Sequence, residues 1–159
     1  AKAAEEQRQQ TYIRTGKLLH YIFSTVRTTK DIPHALQELE AEGVIYGEGL
    51  SVTSLRSLLE KRLSHPKVQD WFSGRWETFN ECAILHTDAQ TGKVVKHRPD
   101  RVMTDGSTYV VVDFKFGRKR DVYQTQVQAY MQLLRAMGHK DVKGYLWYVY
   151  TNEIEEVVV

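Results

Sequence analysis

The segment running from Tyr109 through Val110, Val111, Val112, Asp113, Phe114 and Lys115 to Phe116 constrains this chain more than any other. Three consecutive valines followed by alternating phenylalanines predict a strand covered on both faces. Side chains alternate along a strand, so Asp113 and Lys115 share one face, and Phe114 and Phe116 point the other way. Charges embedded in such a strand need a partner or a metal. On this segment alone, a strand end emerging into solvent is the other open reading.

The preceding residues decide what stands beside that face. Asp105-Gly106 is a strong hairpin signal, because both residues tolerate positive φ. A two-residue loop there sets Thr104 against Ser107 and Asp100 against Val111. Asp100 and Asp113 then become diagonal cross-strand neighbours with backbones roughly 7–8 Å apart, and Lys115 projects from the same face. An odd-numbered loop would flip the parity, and a structural ion pair between Lys115 and the two acids is the alternative. Two carboxylates at that separation converge on one hard cation such as Mg²⁺ or Mn²⁺. A metal with a lysine beside it suits phosphodiester hydrolysis and needs no covalent nucleophile.

The rest of the chain reads as a mixed α/β domain over residues 1–159, with a helical part (1–75) before an αβ core (76–159). Leu18, Leu19, Ile22, Phe23 and Val26 form a helical stripe between Thr15 and Thr28. A second helix is predicted from a cap at Asp31, with Pro33 in its first turn and Gly43 just past its end. A third starts at Ser51 and carries Leu55, Leu58, Leu59 and Leu63, and Pro66 opens a short fourth. Strands are expected over Trp76–Leu85, Val94–Met103 (with Pro99 as an irregularity), Tyr109–Phe116, Tyr145–Tyr150 and Ile154–Val159. A helix over Asp121–Met137, ended by Gly138, lies between the last three and is long enough for a parallel, right-handed crossover.

Composition removes several classes. The lone cysteine, Cys82, rules out an internal disulfide and any four-cysteine zinc or iron–sulfur site; it fits a reducing cytoplasm. No apolar run approaches the roughly 20 residues a bilayer span needs. The polar start, Ala1 to Gln10, is no signal peptide. The chain begins without Met, which leaves two readings: a piece of a longer protein, or Met removal. Net charge is only +2, but its distribution is informative. Lys93, Lys96, His97, Arg98 and Arg101 surround Asp100, and Arg118, Lys119 and Arg120 follow Lys115. Basic residues gathered around acids suit a polyanion brought to a metal; solvated hairpin edges are the alternative.

In order, the chain carries Arg98-Pro99-Asp100-Arg101-Val102, then Val111-Val112-Asp113-Phe114-Lys115-Phe116-Gly117, then Gln126-x-x-x-Tyr130. This order resembles the PD-(D/E)xK nucleases, and more narrowly their RecB-type exonuclease branch. That branch's pattern approximates G-x-x-D-R-hydrophobic, D-Y-K-T-G and Q-x-x-x-Y. Upstream, Gly16-Lys17-Leu18-Leu19-His20 is similar to the helix bearing the branch's metal-binding histidine. Arg98-Pro99 stands where a glycine is common, and Phe114 and Phe116 replace Tyr and Thr or Ser; no ligand is lost by these departures.

The resemblance implies a restriction-endonuclease-like core with a mixed central sheet flanked by helices. It implies His20, Asp100, Asp113 and the backbone carbonyl of Phe114 as ligands of Mg²⁺ or Mn²⁺, and Lys115 as the catalytic lysine. Gln126 and Tyr130 would line the site. Arg98, Arg101, Arg118, Lys119 and Arg120 are candidate DNA contacts, His97 could touch a phosphate, and Glu81 could face the site. The implied function is a DNA nuclease, an exonuclease, acting in repair or recombination with a covalently linked or associated superfamily 1 helicase of the UvrD/Rep-like type. No Gly-x-x-x-x-Gly-Lys-Ser/Thr loop is present, so an ATPase would lie elsewhere. The alternative is a catalytically inactive nuclease-fold module that binds DNA for a helicase.

Overall fold

A computed structural model describes residues 1–47, 49–79 and 83–159. The chain divides into two compact units, Ala1–Gly74 and Arg75–Val159.

The first unit is helical: α1 (Lys2–Thr25), α2 (Ile32–Ala41), α3 (Val52–Arg62) and α4 (Pro66–Trp71). The stripe expected from Thr15 marks only the buried part of α1. The helix itself begins at Lys2, because the Ala, Glu, Gln and Arg residues ahead of the stripe are good helix formers that need no burial. Leu19, Ile22 and Phe23 of α1 are fully buried, and the Phe23 and Phe72 rings lie 5.6 Å apart. Asp31 does not cap α2 through its side chain. Its Oδ2 instead accepts from the Thr28 amide at 3.0 Å, closing the short 3-10 turn before the helix. Beyond α2, Gly43 N–H donates to Glu40 O and Val44 N–H to Leu39 O, the paired bonds that stop a helix. Ser51 and Ser54 exchange side-chain and amide bonds at the start of α3.

The second unit holds β1 (Glu77–Phe79), β2 (Ile84–Thr87), β3 (Val94–His97), β4 (Arg101–Thr104), β5 (Thr108–Lys115), α5 (Asp121–Ala136), β6 (Asp141–Tyr148) and β7 (Glu153–Val157). Five strands form one mixed sheet in the order β1-β4-β5-β6-β7, and β2 and β3 form a separate hairpin. The expected strand Val94–Met103 is therefore two. Arg98-Pro99-Asp100 separates them, since proline cannot donate to a ladder and its neighbour's backbone is restricted. The expected strand Trp76–Leu85 likewise falls into β1 and β2, in different sheets. Glu81 and Cys82, between them, lie outside the described residues.

β5 and β6 pair in parallel through α5, as the long crossover predicts. One face of the sheet, including Val111, Val142 and Leu146, packs on Val127, Met131 and Leu134 of α5. The close approach is made at Gly144 of β6: a Cβ there would meet Met131 Sδ and would lie 2.6 Å from Val127 Cγ1. On the opposite face Phe114 meets Trp147 edge-on at 5.6 Å. β5 thus sits centrally in the sheet, which accounts for its valine run and places its acid and lysine where they are shielded from water.

Candidate active site

The turn between β4 and β5 sets the register of the site. Thr104 pairs with Tyr109 and Arg101 with Val112, not Thr104 with Ser107. The turn lies one residue later than the Asp105-Gly106 signal suggests. Asp105 acts as its side-chain cap, with Oδ1 accepting from the amides of Ser107 and Thr108 at 3.0 and 2.8 Å. Those bonds, Thr108 first, pull the Asp105 pKa down to about 2, and Gly106 supplies the positive φ of 98°. Moving the turn by one residue moves the pairing by two, so the parity is preserved. The expected diagonal neighbours become direct ones.

Asp100 and Asp113 interlock. Asp113 Oδ1 accepts from the Asp100 amide at 3.3 Å, and Asp100 Oδ2 accepts from the Phe114 amide at 2.8 Å. Each carboxylate is thus held on the other's strand by a charge-assisted bond. Asp113 is only 3% exposed. Burial first, then the neighbouring Asp100 charge, pushes its pKa up to about 7, against the pull of Lys115. Lys115 Nζ lies 3.3 Å from Asp113 Oδ2 and 3.2 Å from Gln126 Oε1. Its backbone carbonyl accepts from Val149 N–H at 3.0 Å, pinning the end of β5 to the end of β6.

The facing wall comes from α5. Gln126 holds the lysine, and the partly buried Tyr130 is near enough to the acids that burial and the charges of Asp113 and Asp100 push its phenol up to about 12. Tyr130 therefore remains a hydrogen-bond donor near neutral pH. Tyr123 was not foreseen from the sequence. Lys115 Nζ lies 4.3 Å from the centre of its ring, a cation–π contact that confines the ammonium from a third side. The spacing Tyr123, Gln126, Tyr130 puts all three on one helix face, but a tyrosine on such a face reads as core.

A model of the PD-(D/E)XK nuclease superfamily matches residues 1–158. The chain belongs to the PD-(D/E)XK nuclease superfamily. No curated protein matches it. Members of the superfamily generally use divalent metals, and the donor set on the sheet suits one. Two oxygen-donor carboxylates stand side by side, and the Asp113 pKa is raised by burial first and then by the Asp100 charge, a repulsion that a cation would relieve.

Among the described residues, no group of three or more His, Cys, Asp or Glu side chains gathers into a metal-holding cluster. The carboxylate pair belongs to the Arg75–Val159 unit, and His20 is an exposed residue of α1 in the other unit. The candidate DNA contacts differ in kind. Arg98, Arg118 and Arg120 are exposed. Lys119 is exposed but ion-paired to Glu153 at 2.8 Å. Arg101 is fully buried, with Nε on Met103 Sδ at 3.2 Å, so its guanidinium is not a surface phosphate contact. The side chain of His97 lies outside the described residues. No helix of the described chain is long and apolar enough to cross a membrane.

Proposed function

We propose that this superfamily member is a DNA nuclease that hydrolyses phosphodiesters with Mg²⁺ or Mn²⁺. The observation that carries the reading is the interlocked Asp100–Asp113 pair with Lys115 against it on the same strand face. Asp100 and Asp113 would hold the cation, with the Phe114 carbonyl as a further ligand from the same unit. A bound cation would polarise the scissile phosphate and lower the pKa of its water.

The chain's own groups supply the remainder. Lys115 is confined by Asp113, Gln126 and Tyr123, so its ammonium is preorganised to orient the attacking water or to meet charge developing on the phosphate. The Tyr130 hydroxyl stays protonated and can donate to a phosphate oxygen. Arg98, Arg118, Lys119 and Arg120 bind the flanking backbone. The finer part of the proposal is an exonuclease working with a superfamily 1 helicase in DNA repair or recombination. It is supported by the order of the four motifs from Gly16-x-x-x-His20 to Gln126-x-x-x-Tyr130.

The test is cleavage of end-labelled single- and double-stranded DNA in Mg²⁺, Mn²⁺ or EDTA. Metal-dependent cleavage lost in Asp113→Ala and Lys115→Ala supports the proposal. DNA binding without cleavage would replace it with a binding module, and cleavage unaffected by both substitutions would remove the site.

A further inference from the structure

The β2–β3 hairpin is separate from the main sheet and carries an unusual face. The register pairs Leu85 with Lys96 and Thr87 with Val94, and all four are exposed. Ala83 and Arg98, which flank the paired residues, are also exposed, and Lys93 closes the tip, where its carbonyl accepts from Asp88 N–H at 2.8 Å. The face therefore offers two cations, Lys96 and Arg98, with two large apolar side chains among them, and Lys93 adds a third charge at the tip. Leu85 is 64% and Val94 68% exposed.

Two features distinguish this face from a solvated edge. The acid at the hairpin tip, Asp88, is engaged within the turn: its Oδ1 accepts from the amides of Gln90 and Thr91 at 2.7 and 3.2 Å. No described carboxylate on the face competes for the cations. Second, β3 leads through Arg98 and Pro99 directly into Asp100, so the cations extend over about 16 Å of strand ending at the carboxylate pair. Such a row matches the repeating charge of a phosphate backbone. The apolar side chains narrow the partner further. A duplex keeps its base faces stacked inside, whereas an unpaired strand can lay them on a protein surface.

We infer that the β2–β3 hairpin is a guide for single-stranded DNA, with Lys93, Lys96 and Arg98 on the phosphates and Leu85 and Val94 against the bases, feeding the strand toward Asp100 and Asp113. The inference rests on the nuclease reading for its direction, but its binding test does not depend on catalysis.

The test is fluorescence anisotropy of a labelled oligothymidine and of a duplex of equal length, in EDTA, from 50 to 300 mM NaCl. For the triple variant Lys93→Gln, Lys96→Gln, Arg98→Gln, the slope of log affinity against log salt on the single strand should fall in magnitude by about 2, at roughly 0.7 per phosphate contact. Lys93→Arg with Lys96→Arg should retain the slope, which separates lost charge from a misfolded hairpin. Leu85→Ser with Val94→Ser should weaken single-strand binding several-fold at unchanged slope and leave duplex binding alone. An unchanged slope in the triple variant, or no single-strand binding by the wild type, overturns the guide. Equal losses on duplex and single strand from the serine variant overturn its single-strand character. Cleavage by the wild type in Mn²⁺ is scored separately: an inactive protein with the expected slopes sinks the nuclease reading and leaves the guide standing.

Discussion

Replacing Asp113 by asparagine should stabilise the metal-free protein, in a way that depends on pH. Asp113 is almost wholly buried, and its pKa rises from 3.8 to about 7, first through burial and then through Asp100. Below pH 4 the folded and unfolded chains are both protonated at this group, and it costs nothing. Between pH 4 and 7 the folded protein keeps a proton that the unfolded chain has released, so stability falls as pH rises. Above pH 7 the cost is complete, at most about 4 kcal/mol for a shift of about three units. Asparagine removes that charge and can still accept from the Asp100 amide, and the shift already includes the pull of Lys115. The net gain should therefore be at most about 4 kcal/mol at pH 8, near zero at pH 4, and visible as several degrees in Tm. The assay is denaturation of wild type and variant in EDTA at pH 4.5, 6 and 8. A variant that is less stable at pH 8, or a difference that ignores pH, would refute the assignment of Asp113 as the strained member of the pair.

Other expectations follow from the same geometry. Lys115→Met should lower single-turnover cleavage about 10²- to 10³-fold, the scale of a lost electrostatic contact in the transition state, while Mn²⁺ affinity changes little. Mn²⁺ binding should release close to one proton at pH 6 and far fewer at pH 8, because the ion displaces the proton of a group titrating near 7; calorimetry in buffers of different ionisation enthalpy reads the difference. Gly144→Ala should destabilise the Arg75–Val159 unit by about 1–3 kcal/mol, since the added methyl would force α5 off the sheet at Met131 and Val127; urea unfolding measures it.

The sequence carried the central strand and its face because alternation is a local property. Asp113 and Lys115 had to lie together, and the hairpin parity brought Asp100 to the same face. The turn was displaced by one residue, and the pairing with it by two, because the pattern cannot tell an Asp105 that occupies the turn from one that caps it with its side chain. The division of the two long apolar stretches was hidden for a related reason: Pro99 signals an irregularity, but which sheet each half joins is settled by tertiary pairing. Arg101 read as part of a basic cluster, and only the folded structure shows its guanidinium withdrawn from water. Tyr123 was missed because its contact with Lys115 depends on how α5 turns back over the end of β5, which no local pattern gives. The size of the Asp113 pKa rise was out of reach, since the valine run signals a buried strand but not how completely this carboxyl is withdrawn from water.

The most direct test of the account is a crystal of the protein grown with Mn²⁺ and measured for anomalous scattering. The account predicts one peak within about 2.0–2.6 Å of carboxylate oxygens of both Asp100 and Asp113, lost in Asp113→Asn. An ordered protein with Asp100 and Asp113 still interlocked and no peak between them at saturating Mn²⁺ would contradict it.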